Sequence, residues 1–78
     1  MNAEARKAAK RLETAARNAD KWAHAFDGDW FATQAQRNAA DVRFASWVAR
    51  QEEAIAVLDA AVGADGWRWS NDRVVFFK

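Results

Sequence analysis

The sequence contains no cysteine and no proline, and only three of its 78 residues are glycine. Without cysteine the chain has no disulfide, no thiolate nucleophile and no cysteine-ligated zinc, so the sequence excludes a secreted disulfide scaffold and a zinc finger. Proteins without disulfides are typical of reducing compartments, and we therefore expect a cytoplasmic protein.

Side chains that perform acid–base or nucleophilic chemistry are also few. The sequence has one histidine, two serines and two threonines, which leaves little for a general base, a general acid or a nucleophile. His24 can pair with Asp20, one helical turn earlier, as a surface ion pair. Asp27 and Asp29 flank Gly28, but the further oxygen ligands of a calcium loop do not follow them. We predict a protein that is not an enzyme and has no catalytic residue, no cofactor and no metal site.

No segment of the sequence has the length and apolar character of a membrane helix or a signal peptide. The first twelve residues carry Arg6, Lys7, Lys10 and Arg11 among alanines, and no long apolar run follows them. Export signals and membrane spans both require such a run. We expect a chain that is neither exported nor inserted in a membrane.

Large apolar side chains are scarcer than the composition suggests. Apolar residues make up 51% of the chain, but half of them are alanine, and five tryptophans and five phenylalanines provide most of the bulk. A chain of this size buries only roughly 63% of its unfolded surface. We therefore predict one small domain over residues 1–78 that is sealed by a few large rings.

A regular apolar pattern predicts the first helix, over about residues 3–26. Apolar residues recur at alternating intervals of three and four from Ala5 to Phe26, as on a helix with one buried face. Asn2 suits the N-cap position, and Gly28 can take the left-handed conformation that closes a helix. The opposite face of this helix carries the basic residues Arg6, Lys10, Arg17 and Lys21.

Residues 30–62 contain two apolar seams that lie about half a turn apart on a helix. The first seam consists of Phe31, Ala35, Ala39 and Val42, and the second of Phe44, Val48, Gln51, Ile55, Leu58 and Val62. We expect two helices, at about 30–40 and 42–62, with Asp29 as the first N-cap and a break near residues 38–41. The reason is length, because one helix of about 33 residues would span roughly 50 Å. The alternative is one continuous helix that different partners contact on opposite sides.

Towards the C-terminus the apolar period changes from helical to alternating, which predicts a β-hairpin at about residues 66–77. Its turn is placed at Asn71-Asp72, since both residue types tolerate left-handed backbone conformations. Pairing Trp69 with Val74 and Trp67 with Phe76 puts aromatic and branched side chains on one face. The predicted fold class is mainly α with a small C-terminal β-hairpin, and two or three helices pack with that hairpin.

The apolar seams outnumber those that a small helical monomer needs to bury. An aromatic-rich surface that a fold does not cover is typical of a protein interface. We predict a protein-binding module that blocks or modulates a larger cytoplasmic protein complex, in the manner of small phage-encoded inhibitors such as anti-CRISPR proteins. The predicted contact residues are Arg6, Lys10, Arg17, Lys21, Trp30, Phe31, Glu52, Glu53 and Arg68. In the alternative interpretation, the hairpin and the first helix cover opposite sides of the second helical region within one chain.

Nucleic-acid binding is the alternative function from another class. The basic face of the first helix could follow a phosphate backbone, and Trp67-Arg68-Trp69 interleaves rings with a cation as single-strand binders do. Alternation puts both tryptophans on one face and Arg68 on the other, which favours a core role for the rings. The net charge of +1 is also small for such a binder. A homodimer is compatible with either function.

Overall fold

The computed structural model describes residues 2–77, which form two helices and one hairpin. Helix α1 spans Ala3–Ala23, helix α2 spans Gln34–Val62, and strands β1 (Trp67–Ser70) and β2 (Arg73–Phe76) pair antiparallel. The start of α1 packs against the end of α2, so the helices are antiparallel. The predicted fold class is confirmed. Over the described residues, neither helix is long and apolar enough to cross a membrane.

Helix α1 begins as predicted and ends earlier than predicted. Asn2 is its N-cap, because the Asn2 side chain accepts a hydrogen bond of 2.8 Å from the backbone N–H of Glu4. The predicted seam is buried at its alanines and leucine over Ala5–Ala19. Beyond Ala23 the chain forms turns in place of a further helical turn, and Gly28 has a positive φ of 76°. The glycine therefore shapes the connection after the helix instead of closing the helix itself.

Helix α2 is continuous, so the expected break near residues 38–41 is wrong, and the alternative is confirmed as far as the continuity of the helix. Its 29 residues include no glycine or proline, and nothing interrupts the backbone hydrogen bonds. The break was expected because a long helix does not fit a compact domain. The molecule is instead elongated, with extents of 49 × 21 × 17 Å. Helix α2 therefore runs along most of its length.

The start of α2 also differs from the prediction, because its N-cap is Thr33 and not Asp29. The backbone N–H of Gln36 donates to Thr33 Oγ1 at 3.1 Å, and the Thr33 N–H donates to Gln36 Oε1 at 2.9 Å. This reciprocal pair is a capping box, which satisfies two amides at the helix start. Asp29 caps a turn in the connection instead, where it accepts from the Phe31 N–H at 2.9 Å.

The core lies where both helices meet the hairpin. Leu12 and Leu58 are fully buried, and small alanines around them let the two helices approach closely. From the hairpin, Trp67, Val74 and Phe76 pack against this cluster. The buried residues of the cluster are Ala5, Ala8, Ala9, Leu12, Ala54 and Leu58.

The hairpin has the predicted register, with Trp67 opposite Phe76 and Trp69 opposite Val74. Its turn is at Asn71 and Asp72, whose φ angles are 51° and 65°. Two consecutive positive φ angles match a turn whose twist suits a two-residue hairpin. The turn prediction is therefore confirmed.

Two side-chain hydrogen bonds attach the hairpin to both helices. The Trp67 indole N–H donates to Asp59 Oδ1 of α2 at 2.8 Å, and the Val74 backbone N–H donates to Glu13 Oε2 of α1 at 2.9 Å. Both contacts are partly buried, where a hydrogen bond to a carboxylate is stronger than in water. They fix the hairpin over the end of the helix pair that contains the core.

Candidate functional site

The most exposed large apolar side chains in residues 2–77 lie in the connection between the two helices. Trp30 is 91% exposed and Phe31 is 93% exposed. Both were predicted as contact residues. Two adjacent rings in water are a clear departure from the usual burial of aromatic side chains.

Hydrogen bonds hold the backbone that presents these two rings. The Asp29 side chain accepts a hydrogen bond from the Phe31 backbone N–H. The Arg37 guanidinium donates to the Asp29 backbone carbonyl oxygen at 2.8 Å. Thr33 then begins α2 with its capping box. The rings are therefore displayed on a defined turn that helix α2 supports.

A second apolar feature continues from Phe31 along α2. Val42 is 70% exposed, and Ala35 and Ala39 are exposed on the same helix face. The hairpin and α1 therefore leave the first predicted seam uncovered, and the interpretation in which they cover both sides of α2 is wrong for this half of the helix. We call Trp30, Phe31, Ala35, Ala39 and Val42 the connection patch.

The second seam of α2 faces α1 and is at least half-buried throughout. Leu58 is buried, and the other members, Phe44, Val48, Gln51, Ile55 and Val62, are intermediate. Helix α2 thus uses one seam for folding along its length. Its other seam is available for an interaction at the connection end.

His24 pairs with two carboxylates at the start of the connection. Its Nδ1 lies 2.6 Å from Asp27 Oδ2, and its Nε2 lies 3.6 Å from Asp20 Oδ1. The hydrogen bond to Asp27, followed by the negative charges of Asp27 and Asp20, raises the pKa of His24 above the ordinary histidine value. The Asp20 contact was predicted, whereas the shorter Asp27 contact was missed because α1 ends before the turn that contains Asp27. These contacts join the end of α1 to the first turn of the connection.

The remaining predicted contact residues are exposed but lie on different surfaces. The basic residues Arg6, Lys10, Arg17 and Lys21 share the outer face of α1, Glu52 and Glu53 lie on α2, and Arg68 lies on β1. In residues 2–77 the ion pairs within 4.0 Å are those of His24. No lysine or arginine in that range lies so close to a carboxylate oxygen. The structure therefore does not join these charged residues to Trp30 and Phe31 in one site.

A groove that sequence reasoning missed runs between α1 and α2, near the middle of the molecule. It has a volume of about 620 Å³. Pockets that bind small molecules have volumes of about 300–1,000 Å³, so the groove falls in that range. The Arg50 guanidinium lies 4.3 Å from the centroid of the Trp47 ring on its wall. The groove is lined by Ala8, Lys10, Arg11, Thr14, Ala15, Trp47, Arg50, Glu53, Ala54 and Val57. The pattern within α2 does not predict this groove, because the neighbours of Trp47 across the helix pair cannot be derived from one helix.

In the Trp67-Arg68-Trp69 segment, the two tryptophan rings contact each other and Trp67 packs on the core. Trp67 packs on the core and bonds Asp59, and the Trp69 ring meets it edge-on, with centroids 6.3 Å apart and an interplanar angle of 75°. Arg68 lies on the other face, with its guanidinium 5.3 Å from the Phe77 ring centroid. Trp69 keeps 41% of its surface exposed. The two rings are not parallel and do not form a continuous stacking platform for bases.

Within the described part of the chain, no three His, Asp or Glu side chains come together in a way that could hold a metal ion. No family model matches this chain, and no curated protein and no solved structure matches it. The assignment of function therefore depends on the surface of the molecule itself.

Proposed function

We propose that this chain is a small, non-enzymatic protein-binding module that docks Trp30 and Phe31 into an apolar cleft of a larger cytoplasmic protein. One observation carries this proposal: two adjacent rings on a hydrogen-bonded turn are each more than nine-tenths exposed. Aromatic anchors of this kind are the residues that dominate binding energy at protein interfaces.

The magnitude of the effect supports a specific interaction. Burying one large apolar side chain contributes about 1.5–3 kcal/mol. Two rings therefore contribute about 3–6 kcal/mol, which corresponds to a factor of about 10²–10⁴ in affinity. Contacts from Val42 and the exposed charges of the connection add to this contribution. A chain with no further activity would act by occupying its partner's surface, as small phage-encoded inhibitors do.

The experiment is capture of partners by a tagged chain, compared between the wild type and a Trp30→Ala/Phe31→Ala double variant. We expect the wild type to retain a stoichiometric protein that the double variant loses. Phe77→Ala is the matched control, because Phe77 is also an exposed ring, at 52%, but lies on the hairpin. Equal retention by the wild type and the double variant, with both chains folded, contradicts the proposal.

Nucleic-acid binding is the second candidate, and the exposed basic face of α1 favours it. Arg6, Lys10, Arg17 and Lys21 are all exposed, and none has a carboxylate partner within 4.0 Å in residues 2–77. Phosphate contacts made by such a face weaken steeply with salt. Titration of labelled single- and double-stranded oligonucleotides at low and at physiological salt tests this function. Binding that disappears at physiological salt removes the second candidate, and binding that persists but is lost in a Lys10→Glu/Arg17→Glu variant supports it.

A further inference from the structure

We propose that the groove between α1 and α2 receives the Trp30–Phe31 tip of a second copy of this chain, and that two copies do so reciprocally in a two-fold dimer. The inference rests on the proposed role of Trp30 and Phe31 as contact residues. It adds that these two rings bind the groove of another copy as well as the cleft of a larger partner. The charges, the spacing and the sizes of the two surfaces support this pairing.

The groove combines an apolar wall with a basic rim. Alanines and Val57 line its walls together with the Trp47 ring, which Arg50 covers at 4.3 Å. Lys10, Arg11 and Arg50 provide three positive charges, and Glu53 provides one negative charge. The groove therefore fits an apolar or aromatic side chain that is flanked by carboxylates.

The tip has the complementary chemistry. Its sequence, Asp27-Gly28-Asp29-Trp30-Phe31, places two carboxylates next to two rings. Both rings are more than 90% exposed, and both carboxylate residues are exposed. His24 contacts the Asp27 carboxylate, whereas Arg37 donates to the backbone carbonyl oxygen of Asp29 and leaves the Asp29 carboxylate without an ion pair among residues 2–77. The positive charges at the groove of one copy and the negative charges at the tip of the other favour association and fix its orientation.

The tip of a chain cannot fill its own groove. The centre of the groove on α2, midway between Trp47 and Val57, lies eighteen residues beyond Gln34, where the helix begins. At about 1.5 Å per residue this separation is about 27 Å along the helix. Only another molecule can bring a Trp30–Phe31 pair to the groove.

The same spacing fits a two-fold arrangement of antiparallel molecules. If each tip reaches the other copy's groove, the symmetry axis crosses α2 midway between the tip and the groove, near residue 42. Val42 is the third large apolar side chain exposed at this end, at 70%. In the dimer it meets Val42 of the other copy, as an isologous interface requires of a residue beside the axis. The arrangement thus gives every large exposed member of the connection patch a partner.

The area of the interface suits a weak, reversible dimer. Burial of one tryptophan and one phenylalanine removes roughly 400 Å² of tip surface from water. The groove walls expose less surface than the two rings, so two reciprocal contacts bury roughly 1,100 Å², which lies at the weak end of specific interfaces. In this dimer the tips are masked, and a larger partner that binds Trp30 and Phe31 must compete with self-association.

The test is sedimentation equilibrium of the untagged full chain from micromolar to millimolar concentration. We expect a reversible monomer–dimer equilibrium, which Trp30→Ala/Phe31→Ala weakens by at least about 100-fold. A wild type that remains monomeric throughout overturns the inference. A dimer that the double variant leaves unchanged overturns it as well.

A charge exchange tests the pairing of tip and groove directly. Asp27→Lys/Asp29→Lys makes the tip basic, and Arg11→Glu/Arg50→Glu makes the groove acidic, so each variant alone should be monomeric. Mixing the two variants restores opposite charges at both contacts and should give a 1:1 heterodimer. Circular dichroism and a thermal melt establish that each variant is folded. Absence of a heterodimer between folded variants contradicts the proposed pairing.

The groove variant separates this inference from the proposed function. Arg11→Glu/Arg50→Glu abolishes the dimer but leaves Trp30 and Phe31 intact, so it should capture the larger partner at least as well as the wild type. If the wild type is monomeric yet captures a partner through its two rings, the dimer fails and the proposed function stands. If the dimer forms but no ring-dependent partner is captured, the proposed function fails and self-association stands.

Discussion

The two ends of this molecule treat large apolar side chains in opposite ways. At the hairpin end, Leu12 and Leu58 are fully buried among alanines and are covered by the hairpin. At the connection end, Trp30 and Phe31 are almost fully exposed, and the Trp22 ring is covered by the Arg43 guanidinium at 4.9 Å. The largest side chains therefore do not all contribute to folding. The hairpin end stabilises the chain, and the connection end displays a surface.

The largest effect that separates the two ends should come from truncating one buried leucine. Leu58→Ala leaves a cavity in the cluster that also contains Leu12, and we expect a loss of about 2–5 kcal/mol in the free energy of unfolding. Phe31→Ala should change it by no more than about 0.5 kcal/mol. Urea unfolding followed by circular dichroism measures both. Similar losses for the two variants would erase the contrast between the ends.

The attachment of the hairpin gives the next largest effect. Trp67→Phe removes the donor to Asp59 and leaves a partly buried carboxylate with one partner fewer, which should cost about 1–3 kcal/mol. Trp69→Phe is the matched control, since Trp69 is substantially exposed and should lose no more than about 0.5 kcal/mol. Thermal unfolding of both variants provides the comparison. An equal loss from the two substitutions would show that the indole hydrogen bond does not anchor the hairpin.

Much of this contrast could be predicted from the sequence where near neighbours decide the structure. The cap at Asn2, the turn at Asn71 and Asp72 and the strand register depend on residues a few positions apart, and all were predicted. Trp30 and Phe31 were also predicted as contacts, because the apolar seams outnumber those that a small helical monomer needs to bury.

The predictions that failed depend on shape or on distant parts of the chain. The expected break in α2 assumed a compact outline, whereas the molecule is 49 Å long. The Asp27 contact of His24 was missed because it depends on where α1 ends. The groove beside Trp47 was missed because its walls come from two helices whose relative positions no local pattern contains.

The start of α2 offers a smaller test at the connection end. Thr33→Ala removes one half of the capping box and should lower the free energy of unfolding by about 1 kcal/mol. Thr33→Ser keeps the hydroxyl oxygen and should restore most of the stability. Urea unfolding of the two variants decides between them. If alanine and serine behave alike, the capping box does not hold the helix start that supports the rings.

The smallest effect should be the pH dependence that His24 confers. Because its folded-state pKa is raised, the protonated form stabilises the fold; this contribution is fully present below the ordinary histidine pKa and is lost as the pH rises through the raised value. Between about pH 5 and about pH 8.5 the wild type should therefore lose slightly more thermal stability than Asp27→Asn. NMR titration of the ring gives its pKa directly. A His24 pKa at or below the ordinary value would show that Asp27 and Asp20 do not stabilise the protonated ring.

The role of the connection end is decided by the affinity of the captured partner for the folded Trp30→Ala/Phe31→Ala variant. We expect this affinity to fall by about 10²–10⁴-fold relative to the wild type, while the urea midpoint stays unchanged and Phe77→Ala binds normally. Equal affinity of the wild type and the double variant would contradict the claim that the connection end is the interaction surface.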